Sequence, residues 1–211
     1  MIEPTRVFLL RHGQTDWNAQ HRLQGHIDIP LNAAGLLQAE QLGAALAGED
    51  IVAIYSSDLL RALATAQPLA RRLGLPVQAD AALRERSFGL LEGLSYTEVD
   101  EQFPDDARGW RDRVPDFQPG GGESLNQFYA RALAAVTRLA APHAGQDIAV
   151  VAHGGVLDCL YRAAAGIGVQ APRTWQLGNA SINRLLYTGS GFMLVGWNDH
   201  GHLAEAQVGP A

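Results

Sequence analysis

Two apolar runs end in groups able to do chemistry. Phe8-Leu9-Leu10 gives way to Arg11-His12-Gly13-Gln14-Thr15, and Ile148-Ala149-Val150-Val151-Ala152 gives way to His153-Gly154-Gly155. Ligands of open α/β sheets bind outside the carboxyl ends of the strands. Read as parallel strands, the two runs deliver one histidine each to the same sheet edge. A third run, Ile51–Tyr55, ends in Ser56-Ser57-Asp58, and Arg61 falls in the first turn of the helix expected to follow. Free backbone donors and the positive end of the helix dipole gather at that position. Glu85, in Leu83-Arg84-Glu85-Arg86-Ser87-Phe88-Gly89, is a carboxyl on a loop flanked by two arginines.

Together these residue types fit the handling of a phosphoryl group. Such a group in transfer spreads charge over three oxygens, so it needs cationic donors, an in-line nucleophile and an acid for the leaving oxygen. His12, neutral at one ring nitrogen, can attack phosphorus. Arg11, Arg61 and a protonated His153 can bind the oxygens, and Glu85 can protonate the departing alkoxide. Once ionised, Glu85 can activate the water that releases phosphate. Glu92 is a rival acid a few residues later, beside Gly93.

The elements that must position these groups follow from periodicity. Strand patterns occur at Val7–Leu10, Ile51–Tyr55, Ile148–Ala152, Ile182–Tyr187 and Phe192–Trp197, with helical patterns between the first four. The alternation predicts a three-layer α/β/α fold on a mostly parallel sheet. The last two strands, joined by Thr188-Gly189-Ser190-Gly191, read as a hairpin that leaves an antiparallel edge strand. Asn32 is expected to cap a helix to about Leu46, stopped by Gly48, with Leu36, Ala39, Leu42 (or Gly43) and Leu46 on its apolar face. Asp58 is expected to cap a second helix to about Leu73. Ser124 and Gln127 have capping-box spacing at the start of a third, whose face is Phe128, Leu133, Val136 and Leu139. A fourth begins after Gly154-Gly155. Residues 85–122 have weak periodicity and read as a substrate-shaping excursion within a single domain spanning 1–211. Within it, Trp110 and Phe117 could pack over a substrate, although aromatic residues in such loops more often anchor the loop to the body.

Composition sets the outer limits. A chain of 211 residues fits one domain. All 16 basic residues are arginine, which excludes a lysine Schiff base and a lysine-bearing P-loop. The net charge of −6 argues against nucleic acid and anionic membranes as partners. The single cysteine, Cys159, excludes an internal disulfide and reads as a buried small apolar residue. The start Met1-Ile2-Glu3-Pro4-Thr5-Arg6 has no secretory pattern, so a cytoplasmic location is expected. Asp199, His200 and His202 invite a metal reading, but they sit in a glycine-flanked tail. His21, His26 and His143 lack any partner pattern and are expected to face solvent.

In order along the chain stand Arg11-His12-Gly13-Gln14-Thr15-Asp16-Trp17-Asn18, Leu23-Gln24-Gly25, Ser56-Ser57-Asp58-Leu59-Leu60-Arg61-Ala62 with Thr65-Ala66, and Leu83-Arg84-Glu85 with Phe88-Gly89 and Glu92-Gly93. Gly122-Glu123-Ser124 and Val151-Ala152-His153-Gly154-Gly155 follow. In these strings the chain resembles the histidine phosphatase superfamily, also called phosphoglycerate mutase-like. The resemblance implies a reaction without metal or other cofactor, in which His12 is phosphorylated and Arg11, Arg61 and His153 hold the phosphate. It places the acid-base carboxylate at Glu85, gives Glu92 a structural role, and sets Asn18, Gln24, Gly25 and Gly154 around the phosphate or substrate.

A short excursion and a chain end at Ala211, soon after the last strand pattern, favour the phosphatase branch over a mutase. The expected substrate is a small phosphorylated metabolite, and the expected state is a monomer or homodimer. Arg86, Arg108, Arg111 and Arg113 keep mutase-type transfer as the alternative, since they can bind a second anionic group. Acids at Asp105, Asp106, Asp112 and Asp116 can instead pair with them. A catalytically idle relative that binds a phosphorylated ligand or a protein is the alternative of another class.

Overall fold

Strand β1 (Thr5–Arg11) alternates between two cores: Val7 and Leu9 enter one, Phe8 and Leu10 the other, and all four are fully buried. Burying side chains of this size contributes about 2 kcal/mol each. A strand apolar on both faces must lie inside a sheet covered on both sides. The computed structural model describes residues 3–204. Met1, Ile2 and residues 205–211, with the chain end at Ala211, lie outside the described residues.

The remaining strands are β2 (Ile51–Ser56), β3 (Val77–Ala79), β4 (Asp147–Ala152), β5 (Ile182–Tyr187) and β6 (Phe192–Asp199). They form one six-stranded sheet in the order β3-β2-β4-β1-β5-β6. Helices α2 (Ala33–Ala45) and α3 (Leu60–Leu73) cover the Phe8/Leu10 face. The opposite face is covered by α6 (Leu125–Ala140) and α7 (Gly154–Ala165). Short helices α1 (Asp16–Ala19), α4 (Tyr96–Gln102), α5 (Pro104–Arg111) and α8 (Gly201–Ala204) complete the described residues. The fold is mixed α/β with a mostly parallel sheet, as the strand alternation predicts.

Local expectations meet the structure unevenly. Asn32 accepts from the N–H of Gly35, and Ser124 forms a full capping box with Gln127. Asp58 does not cap α3. Leu59 takes that position without a side-chain bond, because Asp58 is held by Arg84 at 2.7 and 2.6 Å. The buried face of α2 is Gly35, Ala39, Leu42 and Gly43, whereas Leu36 is 54% exposed. Gly35, not Leu36, meets the segment after β1. The helix stops with Leu46 as its C-cap, two residues before Gly48. The antiparallel strand is β5, inside the sheet; β6, antiparallel to β5, runs parallel to β1 at the edge. Strand β3, too short to read from periodicity, forms the other edge.

The excursion carries α4 and α5, which the weak periodicity hid. Its apolar side closes on a small third core of Leu23, Leu91, Val99 and Ala107. Trp110 packs edge-on against Tyr96 and Phe88, with ring centroids 5.3 and 5.8 Å apart. Phe117 lies against Gly109 within the excursion. Trp110 packs on the small core that includes Leu23, outside the excursion, and also lines the cavity described below.

The approach of Gly35 to the turn after β1 has a measurable consequence. A Cβ at Gly35 would overlap the carbonyl oxygen of Gln14. In a helix, Gly→Ala ordinarily gains about 1 kcal/mol. Here Gly35→Ala is expected to lower stability by about 2 kcal/mol through overpacking. Urea unfolding of the variant against wild type checks this, and a stabilised variant would refute the close approach.

Candidate active site

The β1–β4 pairing matches Arg11 with Ala152, and the His12 N–H donates to the Ala152 carbonyl at 3.0 Å. His153 therefore follows beside His12, with ring centroids 5.1 Å apart and planes at 59°. Both are buried. The His12 Nδ1 lies 2.7 Å from the Gly13 carbonyl oxygen. A carbonyl can only accept, so Nδ1 carries the proton and Nε2 keeps its lone pair. Burial, reinforced by the guanidiniums of Arg61 and Arg11, pushes the His12 pKa well below the ordinary range. Burial followed by Arg61, His12 and Arg11 does the same to His153. The protonated His153 expected from the sequence is thus a neutral imidazole in the protein alone. A dianion beside it would reverse the local potential and restore the charge.

Two arginines stand against these rings. Arg61, fully buried in the first turn of α3, donates through Nη1 to Ile27 O at 2.9 Å and through Nη2 to Gly25 O at 2.8 Å. Burial lowers its pKa to about 10, opposed by the charge of Glu85. Arg11 donates through Nη1 to the Leu177 carbonyl, and burial lowers its pKa as well. Nε of both arginines and both ring nitrogens of His153 are buried without a partner among the described residues. Donors left bare together are costly unless an anion uses them.

Glu85 is fixed through both oxygens. Oε2 accepts from the N–H of Gly155 at 3.0 Å, and Oε1 from the N–H of Arg86 at 2.8 Å. A Cβ on Gly155 would overlap Glu85 Oε1, so the second glycine of the His-Gly-Gly string is what admits the carboxylate. The rival Glu92 is committed elsewhere. Its Oε1 accepts from the Phe88 N–H at 2.9 Å and the Ser87 hydroxyl at 3.2 Å.

A cavity of about 470 Å³ is lined by Arg11, His12, Asn18, Gln24, Gly25, Arg61, Glu85 and Gly154. His153 is not among these lining residues, but its ring stands beside that of His12, which is. The Asn18 Oδ1 accepts from Thr15 and Asn179, which braces the turn after β1. Gln24 is buried, and its Oε1 has no partner among the described residues. Gly25, at φ +50, has no room for a Cβ beside Glu92.

Other expectations sort as follows. His26, expected to face solvent, donates Nε2–H to the Glu85 carbonyl at 2.8 Å, and His143 accepts from the Tyr55 hydroxyl at 2.9 Å. These partners are remote in sequence, beyond the reach of a local pattern. His21 is exposed. Asp199 accepts from Arg184 and the Gly201 N–H. Among the described residues, no three His, Cys, Asp or Glu side chains group as metal ligands would. Cys159 is buried, and burial pushes its thiol pKa up. Of the excursion arginines, Arg86 and Arg113 line the cavity, whereas Arg108 pairs with Asp105 and Arg111 with Asp100.

Sequence reading missed a whole wall: Asp158, Cys159 and Arg162 on α7, with Val169, Arg173 and Leu177 after it. It also missed Asn179, whose Nδ2 donates to the carbonyls of His12 and Gly13 at 3.1 and 3.2 Å. Asn179 sits in Gly178-Asn179-Ala180, just before β5, and no local pattern distinguishes it.

A family model described as histidine phosphatase superfamily (branch 1) matches residues 7–200. The chain belongs to the histidine phosphatase superfamily. Phosphohistidine chemistry is general to that superfamily, and the chain's relatives include both phosphatases and phosphoglycerate mutase-like proteins. The chain is 38% identical to phosphoglycerate mutase-like protein 4 of Arabidopsis thaliana over 208 residues, 97% of this chain and 89% of the relative. It is also 38% identical to a metal-independent phosphoserine phosphatase of the same plant over 206 residues, 96% of this chain and 85% of the relative. A solved mycobacterial glucosyl-3-phosphoglycerate phosphatase, in complex with VO3, superposes with a TM-score of 0.81 at 35% identity, covering 92% of this chain and 98% of that one. Among the described residues, no helix is long and apolar enough to cross a membrane.

The two depressed histidines make stability depend on pH. Above about pH 6.5 they are neutral in both folded and unfolded chains and contribute no slope. Below it the unfolded chain takes up protons that the buried rings refuse, so stability falls by about 1.4 kcal/mol per pH unit for each histidine. His153→Asn is expected to flatten the slope between pH 6.5 and 5 by about that amount in urea unfolding. Equal slopes would show that His153 is not held neutral.

Proposed function

We propose that His12 Nε2 attacks the phosphorus of a small phosphomonoester and that hydrolysis, rather than transfer to a second oxygen, completes the turnover. The observation that carries this is the His12 ring itself. It is held through Nδ1–H on the Gly13 carbonyl at 2.7 Å, neutral, and set beside Arg11 and Arg61. As the Nε2–P bond forms, the P–O ester bond breaks, and the Glu85 carboxyl gives its proton to the leaving oxygen. Arg11, Arg61 and His153 bind the three phosphoryl oxygens, with the start of α7 adding its dipole. The Glu85 carboxylate then takes a proton from water, the hydroxide attacks phosphorus, and the N–P bond breaks to release phosphate.

Asn18, Gln24, Gly25 and Gly154 are assigned to the phosphate-proximal rim of the cavity. Residues 85–122 are assigned the selection of the leaving group, within one domain spanning the chain. The phosphatase names of two relatives support hydrolysis. Arg86 and Arg113 in the same cavity favour a second reading, mutase-type transfer, because they can hold an intermediate bearing two anionic groups. A cytoplasmic enzyme, monomeric or homodimeric, acting on small phosphorylated metabolites completes the proposal.

Para-nitrophenyl phosphate should be turned over in the presence of a chelator, and His12→Ala should lower kcat at least 1000-fold, on the order of the loss of a nucleophile. Labelled phosphate should be trapped on wild type and not on that variant; undiminished label would remove His12 from the nucleophile's role. Glu85→Gln should slow glycerol 3-phosphate about 100-fold or more, since an alkoxide needs the acid. The same change should slow para-nitrophenyl phosphate less than tenfold, because nitrophenolate leaves without full protonation. Equal losses on both substrates would move the acid elsewhere. Rearranged phosphoester in place of free phosphate would favour the mutase reading.

A further inference from the structure

The missed wall of the cavity brings Arg162 and Arg113 onto one acid, Asp158, and carries a third cation, Arg173. Arg162, on α7, is 1% exposed and donates through Nε to Asp158 Oδ2 at 2.8 Å and through Nη1 to the Gly168 carbonyl at 2.7 Å. Its Nη2 has no partner among the described residues. Arg113 arrives from the excursion. It donates through Nε to the Val169 carbonyl at 2.8 Å, and Nη2 stands 3.4 Å from the same Asp158 oxygen. Its backbone is left-handed at φ +52, an unfavourable conformation for arginine that tertiary contacts must hold. Arg173, on the segment these two arginines pin, is exposed and makes no ion pair or side-chain hydrogen bond among the described residues.

Asp158 is shared by two guanidiniums and cannot neutralise the third. Arg86, also in this cavity, donates to the carbonyls of Glu123 and Phe117. The cluster therefore carries excess positive charge and lines the same cavity as Arg11 and His12. The charges are felt across it: Arg173 helps lower the pKa of Arg11, and Arg162 and Arg173 help lower that of Arg113, where burial acts first. Like charges kept together at a half-buried wall are unfavourable until an anion joins them. A planar fork suits a carboxylate or a phosphate oxygen pair.

We infer that Arg173 and Arg113, positioned by Arg162 and Asp158, form a second anion subsite, so that the preferred substrate is a phosphomonoester bearing a second anionic group on its leaving portion. Arg162 is a positioning residue, closing the 168–177 segment against α7. Arg113 latches the excursion to that segment, and Arg173 is the hand left to meet the substrate. The inference rests on the hydrolase reading above and names the substrate class of that same cavity.

Substrate pairs that differ only in the second anion test it. O-phosphoserine against O-phosphoethanolamine isolates a carboxylate, and fructose 1,6-bisphosphate against fructose 6-phosphate isolates a phosphate. In wild type at least one pair should favour the anionic member at least tenfold in kcat/KM, carried mainly by KM, and the pair that does so identifies the anion. In Arg173→Gln that ratio, read within the variant, should fall to about threefold or less, while Arg108→Gln on exposed α5 should keep the wild-type ratio. Turnover of para-nitrophenyl phosphate with neither pair discriminated in wild type would overturn the subsite and leave the hydrolase reading standing. A wild-type ratio that survives Arg173→Gln would overturn the assignment to this cluster. Absence of turnover on every phosphomonoester would instead overturn the hydrolase reading.

Discussion

The His12 N–H donates to the Ala152 carbonyl, and this last rung of the β1–β4 ladder fixes the geometry of the site. It carries parallel pairing one residue beyond Arg11, so the two histidines emerge side by side at a depth where water is excluded. Everything else is an accommodation to that placement. Burial keeps the rings neutral, the Gly13 carbonyl selects the tautomer, and the glycine at 155 leaves room for Glu85 against α7. The ladder itself is stiff because β1 is packed on both faces and lies between β4 and β5.

Neutral carbonyls, rather than carboxylates, position the two nearby arginines. Arg61 is held by Gly25 and Ile27, and Arg11 by Leu177. A carbonyl orients a guanidinium without cancelling its charge. Had aspartates done the same work, the positive potential at His12 would be lost to ion pairs and the histidine pKa would rise. The Asp58–Arg84 pair shows the contrast, since there a carboxylate consumes the cation beside Glu85 and Arg84 takes no part in the cavity. Preorganised charge of this kind is favourable only once an anion arrives, which is how an oxyanion-binding site differs from a structural ion-pair network.

The parts of the site legible in the sequence were those where one strand or helix carries the signal to its own end. Arg11-His12, His153 and Arg61 sit at such ends, and the apolar runs before them are long enough to read. Glu85 sits on a loop, and its role came from the resemblance. Asn179 was illegible because its partners, the His12 and Gly13 carbonyls, lie more than 160 residues away, and Arg173 because it sits in a segment without periodicity. Arg162 pairs locally with Asp158, but an i,i+4 ion pair on a helix reads as ordinary helix support. Leu36 misled for a related reason: the spacing put it on the inner face of α2, but backbone contact between Gly35 and Gln14 turned the helix the other way. In the excursion, Ser95 and Glu98 form a capping box at the start of α4, a local signal obscured by the polar run around it.

The 168–179 segment joins the two ends of the cavity. Its early residues are pinned by Arg162 and Arg113, its middle carries Arg173, and its later residues hold Arg11 through the Leu177 carbonyl and brace His12 through Asn179. Asn198, itself at φ +56, anchors Gly178 through its side-chain oxygen at 2.8 Å, tying the segment back to β6. On the proposed reading, a group bound near Arg173 would act on the same short stretch whose Leu177 carbonyl holds Arg11. Binding energy from the remote part of a substrate can in this way be expressed as orientation at the reacting atom instead of as tighter ground-state binding. The strand-end residues proposed for the chemistry and the loop residues proposed for selection would then be linked through one segment, which holds Arg11 by Leu177 and is pinned by Arg162 and Arg113.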